Sequence, residues 1–364
     1  MTSSAIQILG AGPGGLSAAI ALARGGREVH IHERYESVGK RFQGDLQGIE
    51  NWSTKDNVLE RLRSLGIDAR FAATPFREVT MTDGRRTFHR DSPEPLFYLV
   101  KRGPFPDSLD SSLCKQAIEH GVTIHYRSHY PQSDAHIIAT GPIRQSIIAA
   151  DKGLVFSTTL PNMAVGIFHD DLAYLGYSYL LIAEGYGCLC TVVFKDLHRL
   201  NNCFERTVEV ARRMAPIDLT NARPVGGIGG FSLNHPLKLG SSLLVGEAAG
   251  FQDLLWGFGI RTALTSGCLA AQSLLTNQEY TLLAQKEIAP FLQASVVNRC
   301  LWETVKLGAR PLLPFLMKVP FSLRTNFRLL YRFSPFHRLL YPFALRYIKR
   351  QYPHSINTGK EQDG

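Results

Sequence analysis

The chain opens on a short apolar run, Ile6 to Leu9, that reads as a buried strand. Gly10-Ala11-Gly12-Pro13-Gly14-Gly15 follows at once, and then a run of small and apolar residues from Leu16 to Ala23 with good helix propensity. Gly25-Gly26 stops that helix, and Val29 to His32 returns as a second strand. Further on, Val58, Leu59, Leu62 and Leu65 recur at helical spacing, with Ser53 or Thr54 as the expected cap and Gly66 as the stop. Glu78 to Arg90 reads as a hairpin turning at Asp83-Gly84. A strand from Tyr98 to Gly103, a helix opened by Ser108 and strands ending in Tyr126 and Ala139 complete the first part. From Gly153 to Phe194 the texture changes to alternating runs, Leu154 to Thr159, Met163 to His169 and Tyr177 to Phe194. The last of these turns at Glu184-Gly185-Tyr186-Gly187. Arg206 to Met214 reads as a helix, Leu243 to Val245 as a strand, and the stretch through Ala263, Leu264, Ser266, Gly267, Ala270 and Ala271 as another helix.

The opening order of strand, glycines, helix and strand is that of a dinucleotide site. Gly10 permits the tight turn, Gly12 lets a pyrophosphate approach bare backbone, and Gly15 lets the helix pack on the strand. Pro13 and Gly14 complete the turn into the helix, whose N-terminus offers free N–H groups and a positive dipole end to phosphate. Glu33, about twenty positions on, is placed to accept from a ribose hydroxyl, with Arg34 beside it. Lys40 and Arg41 lie in a polar loop, within reach of phosphates or a ring edge. Thr140-Gly141 ends an apolar strand and presents backbone to a nucleotide. Gly246-Glu247-Ala248-Ala249-Gly250 and then Trp256-Gly257-Phe258-Gly259-Ile260 form a second glycine-rich junction between strand and helix. There an acid can accept from a polyol chain, and a helix N-terminus faces the ligand.

Composition narrows the class. With 364 residues and 45% of them hydrophobic, the chain is long enough for more than one packed unit, and no apolar run is long enough to span a bilayer. The six cysteines have neither CxxC nor zinc spacing, so they read as reduced core thiols in a cytoplasmic protein, and no metal is expected. The net charge of +9 is concentrated toward the C-terminus. Between Leu312 and Tyr352, phenylalanines and tyrosines interleave with Arg324, Arg328, Arg332, Arg338, Arg346, Lys349 and Arg350. Pro314, Pro320, Pro335, Pro342 and Pro353 are expected to divide this stretch into short helices. Such helices suit peripheral attachment to an anionic membrane. The plainer reading is that they pack on the body of the protein and show their charge to water. Nucleic acid is not an expected partner.

Taken together, Gly10 to Gly15 with Glu33, Ile138-Ala139-Thr140-Gly141, and Gly246 to Gly250 with Gly257 to Ile260 resemble the FAD-dependent geranylgeranyl reductase family. That family is part of the para-hydroxybenzoate hydroxylase-like flavoprotein group. The resemblance spans about residues 5 to 275. It implies an α/β fold, with a doubly wound, Rossmann-like FAD-binding domain over residues 1–150 and 225–285 that includes a small hairpin near 76–100. An inserted antiparallel-sheet substrate domain over 151–224 and a helical, basic and aromatic C-terminal region over 286–364 complete it. By this likeness Glu33 holds the adenosine ribose, Arg41 and Arg102 sit near the flavin or its phosphates, Glu247 replaces the usual Asp at the ribityl chain, and Gly257 to Ile260 lie under the isoalloxazine. Two departures concern the substrate. The family's Tyr-x-Trp-x-Phe-Pro strand is here Tyr177-Ser178-Tyr179-Leu180-Leu181-Ile182, and the loop after Lys40 carries Phe42-Gln43-Gly44-Asp45 without the cysteine of some reductases.

The resemblance implies FAD as cofactor, NAD(P)H or another donor as reductant, and reduction of carbon–carbon double bonds in an isoprenoid or lipid-like substrate. A flavin-dependent aromatic hydroxylase and a non-catalytic lipid carrier of the same fold remain as alternatives. Tyr177, Tyr179, Trp256 and Phe258 are the expected substrate contacts. No general acid is singled out among the tyrosines, Asp45 and His169.

Overall fold

The computed structural model describes residues 5–142, 147–232, 236–304 and 322–353. In chain order its elements begin with β1 (Ile6–Leu9), α1 (Pro13–Arg24), β2 (Val29–Glu33), β3 (Leu46–Glu50), α2 (Val58–Ser64) and β4 (Thr74–Phe76). They continue with β5 (Glu78–Thr82), β6 (Thr87–Asp91), β7 (Phe97–Lys101), α3 (Leu109–Glu119), β8 (Thr123–Tyr126) and β9 (Ile137–Ile138). Then come β10 (Ile147–Ser157), β11 (Met163–Ile167), β12 (Tyr177–Ala183), β13 (Tyr186–Phe194), α4 (Leu200–Met214) and β14 (Arg223–Gly230). The last are β15 (Lys238–Leu239), β16 (Ser242–Leu244), α5 (Ile260–Thr276), α6 (Tyr280–Glu287), α7 (Ala289–Thr304), α8 (Leu323–Tyr331) and α9 (Pro335–Gln351).

The nucleotide-type sheet has the order β15-β16-β9-β1-β2-β8, parallel except for β15. Ile6, Ile8, Val29, Ile31 and Ile137 are nearly inaccessible, as a parallel sheet buried on both faces requires. Crowded backbone sets how closely α1 lies to its neighbours. A side-chain carbon at Gly15 would overlap the Gly10 carbonyl oxygen, and one at Gly267 on α5 would overlap the Gly14 carbonyl and the Ser17 hydroxyl. Gly10 itself has φ of +98°, a conformation that favours glycine.

A second sheet has the order β14-β10-β13-β12-β11-β5-β6. Its composition corrects the boundaries expected from sequence. The β5–β6 hairpin pairs through β5 with β11, and β14 pairs with β10, so neither belongs to the nucleotide-type sheet; β10 also begins earlier, at Ile147. Side chains alternate across this sheet with a period of two. Leu180, Ile182 and Leu189 pack against Phe204 and Val210 of α4, whereas Tyr177, Tyr179 and Leu181 face the opposite way, into a cavity. A small sheet, β3-β7-β4, lies beside it.

Local signals explain two further differences. The cap of α2 is Asn57, whose side chain accepts from the Leu59 N–H at 2.9 Å; Ser53 and Thr54 lie upstream of the helix. Pro342 does not break the C-terminal helix: α9 runs through it from Pro335, which occupies the first turn, where proline is tolerated. Residues 312–321, with Pro314, Pro320, Phe315 and Phe321, lie outside the described residues. Among those described, no helix is long and apolar enough to cross a membrane.

Because Gly267 is closed in by backbone and a short side chain, Gly267→Val must push α1 and α5 apart. Overpacking of this kind costs about 1–3 kcal/mol or more. A denaturant titration of the variant should show a lower unfolding midpoint, and an unchanged midpoint would mean that the two helices are not held at this spacing.

Candidate functional site

A cavity of about 930 Å³ runs from the turn after β1 to the inner face of the second sheet, at the upper end of the about 300–1,000 Å³ usual for ligand sites. Gly10, Gly12, Pro13, Gly14, Glu33, Arg34, Arg41, Arg102, Thr140, Gly141, Gly246, Glu247, Gly257, Gly259 and Ile260 all line it. Gly15 does not, because its place is the packing of α1 on the Gly10 turn.

At the first end, Gly12 caps α1 with no side chain spent on the helix N-terminus. Its φ is an ordinary −80°, and a carbon added there would meet nothing nearer than the Ala139 carbonyl oxygen at 4.0 Å. The bare space beside a helix N-terminus is a phosphate cradle. Glu33, nearly buried, accepts from the Ala11 N–H at 2.9 Å and the Tyr35 N–H at 3.0 Å. It therefore fixes the glycine turn while each oxygen keeps a second acceptor position. Arg34 lies exposed, stacked over Tyr35. Next to Glu33 is a group that sequence reasoning missed. His32 stacks on Tyr130 with centroids 3.9 Å apart and is held by Gln7 and Ser128, each at 2.9 Å. Burial, with His125 and His30 nearby, pulls its pKa down and favours a neutral ring. The His30-x-His32 alternation on β2 was the available signal.

In the middle, Arg102 is less available than its position suggests. It donates from Nε and Nη2 to the two oxygens of Asp110 at 2.9 Å each, and from Nη1 to Gln47 at 2.8 Å, with its plane 4.1 Å from the Phe42 centroid. Its role is to hold the loop around Gly103, whose N–H also donates to Asp110. Lys40 is turned to Glu36 at 2.7 Å. Arg41 is the half-exposed cation that crosses the cavity, 3.5 Å from Glu247. Glu247 also accepts from the Gly230 N–H at 3.2 Å, and burial raises its pKa. Gly257 has φ of +73°, and the N-terminus of α5 begins at Gly259-Ile260 without a side-chain cap.

The far end is apolar and aromatic. Trp256 and Phe258 line the cavity and pack with Trp52 and Phe327, the latter contributed by α8. The Tyr177 hydroxyl donates to the Trp256 carbonyl, so it tethers the second sheet to the glycine loop; burial raises its pKa and that of Tyr179. Cys188 and Cys190 are buried free thiols on this face. Burial pushes Cys188 up to about 12 and raises Cys190, so neither is a reactive thiolate. Of the acids left open by the sequence, Asp45 lines the cavity with a raised pKa caused by burial, while His169 lies outside the lining.

The acid that the sequence did not single out is Asp151, in the middle of β10. Its partner on β14 is Gly227, where an added carbon would stand 3.1 Å from the carboxyl, so the glycine-rich run of β14 leaves the group room. The Cys190 thiol donates to it at 3.8 Å. Burial, and next the neighbouring Asp45, push it up to about 6, against the pull of Arg41 and the Gly227 N–H. Asp253, held by Trp256 N–H and by the Tyr331 hydroxyl of α8 at 2.8 Å each, is also raised to about 6, first by burial. A carboxylate inside a largely apolar strand, with Lys152 beside it and a glycine-rich strand later, was the signal for Asp151.

The folded Asp151 holds its proton more tightly than the unfolded chain does, where the pKa is about 3.9. Its contribution to stability is present below about pH 4 and is lost as the pH rises through about 6. Asp151→Asn removes this loss while Asp253 remains. Unfolding midpoints measured from pH 4 to 7 should show the variant gaining on the parent protein as pH rises, by up to about 3 kcal/mol for a shift of about two units. A difference that does not change with pH would place Asp151 in water.

The FAD binding domain family matches residues 3–136. No curated protein sequence matches the chain. Solved structures share the fold at low identity. A geranylgeranyl bacteriochlorophyll reductase-like protein from Thermoplasma acidophilum superposes with a TM-score of 0.68 at 18% identity, covering 96% of this chain and 97% of that one. A flavin-dependent brominase gives 0.66 at 15%, covering 95% and 99%. A 2-methyl-3-hydroxypyridine-5-carboxylic acid oxygenase gives 0.53 at 16%, covering 85% and 94%. The chain thus carries an FAD binding domain within the flavoprotein fold that its two glycine-rich junctions resemble.

Proposed function

We propose that this flavoprotein reduces carbon–carbon double bonds of an isoprenoid or lipid-like substrate, with NAD(P)H or another donor supplying the electrons. The observation that carries this reading is the far end of the cavity. There Phe97, Val165, Phe168, Leu181 and Trp256 surround a space whose acids are Asp151 on the second sheet, Asp45 just before β3 and Asp253 beside Trp256. An apolar chain fits such walls, and a double bond needs one proton donor and few other polar contacts. The reductase-like protein of the same fold adds to the reading, as the resemblance does.

Reduced FAD, when bound, would supply a hydride to one carbon of the double bond, the external donor having reduced it first. The residues of the chain do the rest. The Gly12 turn and the N-terminus of α1 would hold the pyrophosphate, and Glu33 would accept from the ribose. Arg41 and Glu247 would meet the middle of the cofactor, and the Gly257 to Ile260 turn would support its ring. Tyr177 fastens the sheet over that turn, and the aromatic cluster excludes water. Asp151, whose pKa burial raises to about 6, would hold the proton for the second carbon below about that pH and regain one from solvent afterwards.

Two measurements test this. Gly12→Val puts a side chain where the structure has open space and an unstrained backbone, so the variant should fold normally yet purify without FAD. A full complement of FAD in the folded variant would displace the cofactor from this turn. The parent protein, reduced without oxygen and given a geranylgeranyl lipid, should add two hydrogens per double bond, as read by mass spectrometry, and Asp151→Asn should slow the reaction by about 10²–10⁴-fold. Oxygen-dependent insertion of a hydroxyl into an aromatic acid would make it a hydroxylase instead. Stoichiometric lipid without turnover would make it a carrier.

A further inference from the structure

The two C-terminal helices carry a surface that the cavity does not use. We infer that the corner formed by α8 and α9 is a docking surface for an anionic lipid bilayer.

The first observation is charge. Residues 322–353 hold seven lysines and arginines and no aspartate or glutamate. Arg324 is turned inward, donating to the Asn51 carbonyl at 2.9 Å and pairing with Glu94. The other six, Arg328, Arg332, Arg338, Arg346, Lys349 and Arg350, are all exposed, and none has an acidic partner among the described residues. The second is apolar exposure on the same helices. Phe336, Leu339 and Phe343, at spacings of three and four on α9, are 55%, 70% and 64% exposed, and Leu329 of α8 is 49% exposed. Phe336 and Phe343 are the exposed phenylalanines of the described chain. The opposite face of α9 is already satisfied, because Ala344 and Ile348 pack against Val296 and Val297 of α7. The third is an apolar groove of about 500 Å³ beside this face, lined by Leu301, Leu329, Leu330 and Phe336, with Arg332 at its side.

Apolar side chains projecting among cations match the headgroup and acyl boundary of an anionic leaflet. A second copy of the chain is a poor occupant. A two-fold contact through this face would set six cations against six on a protein of net charge +9. The placement also has a use. α8 puts Phe327 into the cavity wall and Tyr331 on Asp253, so the helix beside the membrane is one wall of the cavity. The surface itself stands independently of the reaction proposed above.

The test is sedimentation of the full-length FAD-loaded protein with vesicles. With phosphatidylserine and phosphatidylcholine at low salt, most of the protein should pellet. Pure phosphatidylcholine, or the mixed vesicles at high salt, should lower binding at least about tenfold, since screening acts on exposed charge. Two variants, Leu339→Ser with Phe343→Ser and Arg346→Ala with Arg350→Ala, alter only exposed positions. Each should keep its FAD and unfolding midpoint and lose vesicle binding by a similar factor. Failure to pellet at low salt, equal binding to neutral vesicles, or variants that bind like the parent would overturn the inference. So would a dimer in solution that Leu339→Ser with Phe343→Ser splits. None of these readouts involves turnover, so a wrong substrate and a wrong surface give different results.

Discussion

Everything in this molecule is arranged around the close approach of α1 to the backbone on two sides. Gly15 sets the helix against its own incoming turn, and Gly267 sets it against α5. Neither position tolerates a β-carbon without displacement, so the spacing is dictated by sterics before any side chain packs. With the helices that close, the N-terminus of α1 and that of α5 open onto one cavity, and the residues that line it are carried by elements with little freedom to move apart. Gly12, in the same turn, has no such neighbour. The difference between a crowded glycine and an open one separates, within six residues, positions fixed by packing from one that lines the cavity.

Buried polar links then tie the periphery to this frame. Glu50 on β3 pairs with Arg261 at the start of α5, and Arg299 on α7 pairs with Glu303 while its plane lies 3.6 Å from the Phe194 centroid. Breaking a buried pair by removing one partner typically costs about 3–5 kcal/mol, because it leaves an unpaired charge. Such pairs specify one arrangement more than they stabilise it. Asn298 donates to the Leu330 carbonyl at 2.8 Å, and Tyr331 reaches Asp253. Of the C-terminal helices, α8 is therefore part of the cavity wall through Phe327, while α9 packs on α7, and both leave another face to solvent. Among the described residues the plainer reading of the basic, aromatic stretch is what the packing shows: α8 and α9 pack on the body of the protein and expose six of their cations.

The legible parts of the chain were those where local chemistry and fold coincide. The opening βαβ unit was readable because glycines, helix formers and the terminal Glu33 act within thirty residues. The direction in which Tyr177 and Tyr179 point was not, because a period of two says which residues share a face and not what that face meets. α4 on the other side of the sheet decides it. The membership of the β5–β6 hairpin was illegible for a similar reason: its pairing with β11 joins residues more than eighty positions apart. Pro342 misled because a proline is read as a break, whereas here the preceding turns of α9 are fixed by packing on α7. Arg102 was visible as a conspicuous arginine, but only the positions of Asp110 and Gln47 show that its donors are already occupied.

The electrostatics of the cavity follow from the same occupancy. Arg102 is committed to Asp110 and Lys40 is turned to Glu36, while the half-exposed Arg41 faces Asp45, Asp151 and Glu247. Burial raises the pKa of all three carboxyls despite the pull of Arg41, and of Arg102 on Asp45 and Glu247. Arg41 is nearest Glu247, and the Gly230 N–H helps to hold that carboxylate, so its ionised form is the better supported. Asp45 accepts from the Gln43 N–H at 2.9 Å. Asp151 has a distant thiol, one backbone N–H and a like-charged neighbour, the weakest support of the three. Charge balance thus favours the neutral form at Asp151, as burial does at Asp253, the other carboxyl of the cavity raised to about 6.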